Sequence, residues 1–342
     1  MTNQAVSPLA VSPGLWTLAW RRLRADRVAM AALAVVGLFL AMLVLSWAGL
    51  IAADWEDEVA LNYAPPAFVG ADAASLALQA QAARPVPANA FDPLAQDIDA
   101  ARRALALHPA RVHAHKLATL PFGADKWGHD IIKKTIKGGE TSIVVGLVAA
   151  LVAVTLGTVF GALSGYYGGR VDDFFNWFYS IFTSIPSILM ILTVAAVLQQ
   201  KGVLTIVLIL GLTGWTGPYR LMRAEYIKHK AREYVMAADA IGASAWRKMF
   251  SHIFPNVSHV ALVQMSILVV GFIKAEVILS FLGFGVPVGV VSWGSMLNEA
   301  QNELILGKWW QLTAAASAMA LLVTAFSLFA DGLRDALDPK LK

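Results

Sequence analysis

Residues 141–169 read TSIVVGLVAALVAVTLGTVFGALSGYYGG, 29 consecutive positions without a charge. A transmembrane helix needs about 20 mostly apolar residues, so this stretch decides the fold class in favour of a membrane protein. Working outward, the uncharged runs repeat: 28–53, 174–200, 202–219, 249–273, 277–298 and 309–330. Run 277–298 holds Gly283, Gly285, Pro287, Gly289 and Gly294, and such a stretch would leave backbone groups unpaired in lipid. Residues 284–308 are therefore expected to form an external loop or a re-entrant segment sheltered by protein. Residues 249–256 (MFSHIFPN) contain His252, Pro255 and Asn256 and read as the end of a cytoplasmic element. Six spans remain: about 28–52, 141–163, 176–198, 202–219, 258–283 and 310–330. The fold class is all-α with six transmembrane helices. The first apolar run far exceeds the usual 7–15 residues of a cleaved signal, so it reads as a signal anchor.

The composition agrees. The 342-residue chain is 58% hydrophobic and 15% charged, with mean hydropathy +0.61, against about 45–50% and about 25% for soluble domains. Disorder is excluded. The absence of cysteine removes disulfides, Cys-ligated zinc and thiol chemistry. The net charge of +4 raises the question of nucleic acid, but the basic residues mark orientation. Arg21, Arg22, Arg24 and Arg27 precede the first span. Arg220, Arg223, Lys228, Lys230, Arg232, Arg247 and Lys248 lie between spans four and five. Both segments are expected in the cytoplasm, as is the tail with Arg334, Lys340 and Lys342. The organisation is thus a cytoplasmic arm (1–27), span one (28–52), an external segment (53–140), a five-span core (141–330) with a cytoplasmic loop at 220–256, and a cytoplasmic tail (331–342). Lys133, Lys134 and Lys137 fall just before span two, on the side the rule disfavours. Long loops translocate largely regardless of charge.

The external segment is rich in Ala, Pro and Gln over 64–118. Within it, 94–107 reads as a short amphipathic helix. His108, His113 and His115 invite a metal reading, but no carboxylate or thiol stands at ligand spacing, and a solvated polar stretch is preferred. Gly123 to Gly128 has the G-x4-G start of a phosphate loop, followed by His129-Asp130 where Lys-Ser/Thr is required. Nothing there would hold phosphate and magnesium.

Gly157, Gly161 and Gly165 repeat every fourth residue, which places small residues on one face for close helix packing. Pro186 removes a backbone bond inside span three and should kink it. Its two readings are packing and shaping a translocation path. Residues 232–256, REYVMAADAIGASAWRKMFSHIFPN, suggest a helix over 233–241 stopped by Gly242 in a positive-φ conformation. A second helix is expected over 244–252 with Ser244 as N-cap and Pro255 beyond its end. Ala237, Ala238 and Ala240 would make a shallow surface for another protein. A membrane-surface helix fits the same pattern.

This segment resembles the "EAA" loop of type I ABC importer permeases, E-A-A-x3-G followed by an apolar-Pro ending. Ala237, Ala238, Gly242 and Pro255 match in spacing, while Met236 stands where the pattern has Glu and Phe254 where it often has Leu. RRLRADRVAM (21–30) is similar to the N-terminal entry of oligopeptide/dipeptide C-type permeases. Residues 122–130 resemble their "LGTDxxGRD", with His129 replacing Arg. Residues 165–172 resemble "GYxGGxxD", LSFLGFG (279–285) with Ser292-Trp293-Gly294 resembles "LSFLGLG…WG", and DGLRDALDPKLK (331–342) reads like the family's C-terminus. The long external insertion and the FLGFGVPVG wording resemble the branch handling longer peptides and peptide-antibiotic conjugates.

The resemblance implies the type I permease fold and a non-catalytic subunit of a bacterial inner-membrane peptide importer with both termini cytoplasmic. A second permease would complete the pore, two ATPases would bind ATP and magnesium, and an external solute-binding protein would deliver peptide. This chain would bind no cofactor, metal or nucleic acid itself. Glu233, Ala237, Ala238, Gly242, Ala243 and Pro255 would belong to the ATPase-coupling loop. Lys274 and Glu276 lie inside span five, where charges face protein or water. Two apart on a helix, they do not face each other, so each needs another partner. They are candidates for the translocation pathway or for contact with the second permease. Alternatives are a nickel or other small-substrate permease of the same architecture, a membrane enzyme, and a lone secondary transporter. None of the seven histidines stands in an H-E-x-x-H setting, and no inverted repeat is apparent.

Overall fold

The computed structural model describes residues 15–71, 73, 76–77, 93–107, 116–287 and 289–337. His108, His113 and His115 lie outside them. Among the described residues the chain is helical, with three isolated β-bridges (Ala60 to Leu117, Pro66 to Leu120, Ala124 to Asp130) and no strand. The helices are α1 (Leu15–Ala25), α2 (Arg27–Trp47), α3 (Ala95–Leu107), α4 (Ile131–Tyr167), α5 (Gly169–Thr183), α6 (Ser187–Leu198), α7 (Val203–Thr213), α8 (Thr216–Lys230), α9 (Glu233–Ala240), α10 (Ala245–Phe281), α11 (Trp293–Ile305) and α12 (Trp310–Leu337).

Four helices, α2, α4, α10 and α12, are long and apolar enough to cross a membrane. A fifth crossing follows if α5 and α6 count as one. This is a multi-pass membrane protein. The kink expected at Pro186 is a full break: α5 and α6 meet at 82°, with Pro186 in an extended conformation before α6. Fixed φ and a missing N–H make proline a starter of helices rather than a member. The fourth expected span is a helix of 11 residues, α7, about 16 Å long, which turns at Gly214-Trp215 into α8.

Aspartates start two of the long helices. Asp26 Oδ1 accepts from the Val28 and Ala29 N–H groups, and Asp130 Oδ1 from those of Ile132 and Lys133, satisfying donors that a first turn leaves free. α4 is the central post. Its 37 residues run about 55 Å and carry Val145, Ala149, Ala150 and Ala153 into a core shared with α2, α7, α10 and α12. Gly157, Gly161 and Gly165 face α8. A Cβ at Gly161 would lie 2.8 Å from the Met222 Cβ and 2.9 Å from the Arg223 N and Tyr219 O.

Both ends of the described chain lie at one end of the bundle. Ala19, Leu23 and Ala29 pack with Ala336 and Leu337. At the opposite end Ser46 bonds Glu140, and the Trp310 indole donates to the Ala124 carbonyl at 2.7 Å. α4 runs from the Asp125 end to the α9 end, and α8 finishes beside α9, so the chain between them leaves and returns on the same side.

Several boundaries differ from expectation, among them the start of α4, at Ile131 instead of 141. Pro255 does not lie beyond a helix; it sits inside α10, because residues Lys248–Ile253 form a π-helical stretch. The wider turn lets the Phe254 N–H reach the Met249 carbonyl, so the ring enters without blocking the ladder. Residues 284–308 contain the helix α11, started by a reciprocal Ser292–Ser295 capping box. Helix α12 continues through 331–337, into the expected tail. The amphipathic helix read at 94–107 is present as α3.

Candidate coupling surface and buried charges

Helix α9 and the start of α10 form a short projection at the end of the bundle. α9 stops where Gly242 takes φ +78°. The Gly242 N–H reaches the Asp239 carbonyl and the Ala243 N–H that of Ala238, a left-handed cap that returns the chain. Ser244 then caps the next turn by accepting from the Arg247 N–H at 3.3 Å. The inner face is anchored: Val235, Met249, Ile253 and Val257 pack on Ala162 and Tyr166 of α4 and on Met222 and Tyr226 of α8. The Tyr226 hydroxyl donates to the Met249 carbonyl at 3.2 Å, and Lys248 pairs with Asp239.

The outer face keeps only part of the alanine surface expected, with Ala237 and Ala240 exposed. Ala238 is buried and packs inward. Glu233, Ala237 and Gly242 are exposed, Ala243 is half-buried, and Pro255 is exposed further along α10. What projects is apolar and larger: Met236, Ile241 at 84% exposure and Trp246. Ile241 sits at the turn itself, the position that alanine-centred sequence reasoning passed over. A bulky apolar residue next to a helix-stopping glycine was the available signal.

Behind this projection Arg223 grips Asp172 with two hydrogen bonds of 2.6 Å, and Ser164 also bonds Asp172. The planar guanidinium suits such a fork. The YYGGRVD stretch thereby ties the start of α5 to α8. Trp215 is buried among Phe160, Phe178, Phe182 and Tyr219. The opposite face of α5 presents Phe174, Trp177 and Ile181 to the outside.

The two charges of span five part company. Glu276 is fully buried within the chain and accepts from Ser142 Oγ at 2.6 Å and Ser280 Oγ at 2.7 Å. Ser142 also accepts from the Trp293 N–H, so Glu276 joins α4, α10 and the start of α11. Lys274 is exposed on the outer face of α10. Pro186 is exposed at the break before α6.

A second charge cluster lies at the Asp125 end. Lys134 Nζ, buried, bonds Asp125 at 2.7 Å and Glu299 at 2.6 Å. Asp125 also accepts from the backbone N–H groups of Trp127 and His129 and contacts the His129 ring at 2.9 Å. Burial alone would raise its pKa, but the His129 and Lys134 contacts hold the carboxyl well below the usual range. Lys133 pairs with Asp54, and Lys137 with Glu140. Each lysine on the disfavoured side thus has a carboxylate, and that misfit with the charge rule was the signal for the cluster. Glu303 lies beside it, buried, with neither carboxylate oxygen hydrogen-bonded among the described residues. Burial pushes its pKa up to about 7.

Residues 157–342 match the family model for the binding-protein-dependent transport system inner membrane component. Residues 14–66 match that for the N-terminal TM domain of oligopeptide transport permease C. The chain is similar to the dipeptide transport system permease protein DppC of Bacillus subtilis, at 37% identity over 65% of this chain and 69% of that protein. It is also similar to oligopeptide transport system permease proteins OppC. That of Bacillus subtilis is 38% identical over 65% of this chain and 72% of its own length. That of Escherichia coli is 37% identical over 64% and 72%.

Proposed function

Since the chain belongs to the family of inner membrane components of binding-protein-dependent transport systems, a non-catalytic transport component, we propose that it is one of two permease subunits of an ATP-driven peptide importer in the bacterial inner membrane. The observation that carries this reading is the α9–α10 projection, apolar outside and anchored inside on α4 and α8. Met236, Ile241 and Trp246 seat in a groove of an ATPase subunit. Closure of two ATPases on ATP and magnesium moves the projection as a rigid body. Because its inner face packs on the post α4, that movement reaches the membrane helices. The exposed aromatic face of α5 supports a second permease as neighbour, since a contiguous apolar patch marks an interaction surface. The relatives' names support peptides as the substrate class, delivered in this reading by an external solute-binding protein. The termini and α9 share one end of the bundle, which supports a cytoplasmic position for all three. Glu233, Ala237, Ala238, Gly242, Ala243 and Pro255 shape the coupling surface. Lys274 and the break at Pro186 line the path or the permease partner, whereas Glu276 braces the path from inside the subunit.

The test is purification of the complex from membranes, followed by uptake of labelled peptides of graded length. Two ATPases and a second permease should co-purify, and Ile241→Asp should reduce ATPase retention and uptake together. A chain that purifies alone and transports, or an Ile241→Asp complex that behaves as wild type, overturns the reading.

A further inference from the structure

A cavity of about 350 Å³ lies where α2, α4 and α12 diverge. Phe39, Met42 and Leu43 form one wall, Ile136 and Ile143 a second, and Ala314 with Ala318 a third; Trp293 closes the floor. Ile132 and Leu321 also line it and are themselves 42% and 54% exposed, so the mouth opens sideways through the outer surface of the bundle. All three helices have membrane-spanning length and composition.

Each of the few polar side chains on the wall makes a hydrogen bond within the protein. Thr135 donates to the Ile131 carbonyl at 2.7 Å and Ser317 to that of Ala314 at 3.2 Å. Glu140 accepts from Ser46 at 2.6 Å and Lys137 at 2.8 Å. A water needs two to four polar partners; Ser46 and Lys137 both bond Glu140 Oε2, and away from that carboxylate the wall is predominantly apolar. Empty space of this size forfeits dispersion contacts along its lining. Trp47, at the end of α2, and Trp309, just before α12, lie at the same end as the mouth, and such aromatics mark the membrane–water interface. Leu43 is four residues, about 6 Å, inside that level. The medium outside the mouth is then hydrocarbon.

We propose that this cavity holds an acyl chain of a membrane phospholipid, entering between α4 and α12 just below headgroup level. The ion pair of Lys137 and Glu140 with Ser46 sits beside the slot, within reach of a headgroup. The chain packs α2 against the core, where direct helix contact is incomplete. The inference needs the membrane placement of α2, α4 and α12 and is independent of what the importer carries.

The test uses the whole complex in vesicles of phosphatidylethanolamine and phosphatidylglycerol containing a phosphatidylcholine with a mid-chain diazirine. After illumination, labelling should map to inward-facing Ile136 and Ile143 as well as to outward-facing Leu38 and Val44. Ala318→Phe fills the slot and should reduce the inward labels at least fivefold while leaving Leu38 and Val44 unchanged. Labels confined to outward positions in the wild type, or inward labels unchanged in the variant, overturn the proposal. If Ala318→Phe does not assemble, the wild-type map decides alone: labelled Ile136 and Ile143 support the slot, unlabelled ones overturn it. Failure of peptide uptake would leave this result untouched, so the two readings fall separately.

Discussion

Glu303 brings two unbonded carboxylate oxygens into a buried space beside Lys134, Asp125 and Glu299. Burial, with Asp125 and Glu299, opposes the charged form, Lys134 and the nearby Lys126 backbone favour it, and opposition wins. Its folded pKa, about 7, stands above the unfolded 4.5. The stability it contributes is therefore full below pH 4.5 and is lost as pH rises through 7. The loss is up to roughly 3 kcal/mol. Asp125 acts in another window: its lowered pKa gives stability above about 3.8 that is lost toward more acid pH. Melting of the detergent-solubilised complex between pH 5 and 8 should decline by several degrees in the wild type and stay flatter in Glu303→Gln. Parallel curves would show that Glu303 is not the group concerned. Gly242 makes a different kind of demand. A Cβ there meets open space, but its φ of +78° costs an L-residue about 1–2 kcal/mol. Gly242→Val should leave the membrane helices assembled and lower uptake several-fold through a distorted turn. Undiminished uptake would count against the turn's role in coupling.

At the scale of elements, the contact between α4 and α8 depends on three glycines that let two backbones approach. Gly161→Leu inserts its side chain against the backbone of Tyr219 and Arg223, where overpacking costs about 1–3 kcal/mol or more. Gly271→Ala, on α10 with open space at its Cβ position, should be neutral or slightly stabilising. Equal thermal stability of the two variants would mean that α4 and α8 are not held by this ridge. The glycine spacing was legible because a four-residue repeat is a local property of helices. The entry of Pro255 into α10 was not. A proline normally ends a helix, and the π-helical turn that admits it depends on Met249 and Ile253 being buried on α4 and α8. The same limit applies to α5–α6. Pro186 announced a kink, but not the 82° between α5 and α6, nor that Phe178 and Phe182 pack on Trp215 beside α8.

For the molecule as a whole, the described residues of 48–71, 116–130 and 282–309 gather at one end, and both described termini and α9 at the other. A reporter fused near residue 100 should be active only outside the cytoplasm. Cytoplasmic activity would invert the bundle and remove the coupling proposal with it. The amino-acid sequence by itself determined the membrane class, the approximate places of the long apolar helices, the helix-stopping turn at Gly242 and the family resemblance. These depend on hydropathy, helical period and short motifs, all of which are local. Only the tertiary structure decided that Ala238 turns inward while Ile241 projects, that Glu276 is bonded to Ser142 and Ser280, and that Lys134 bridges Asp125 and Glu299. Ser280 apart, those partners lie 9 to 165 residues away along the chain, and charge composition carries no information about which carboxylate a lysine will meet once α4 and α11 are packed side by side.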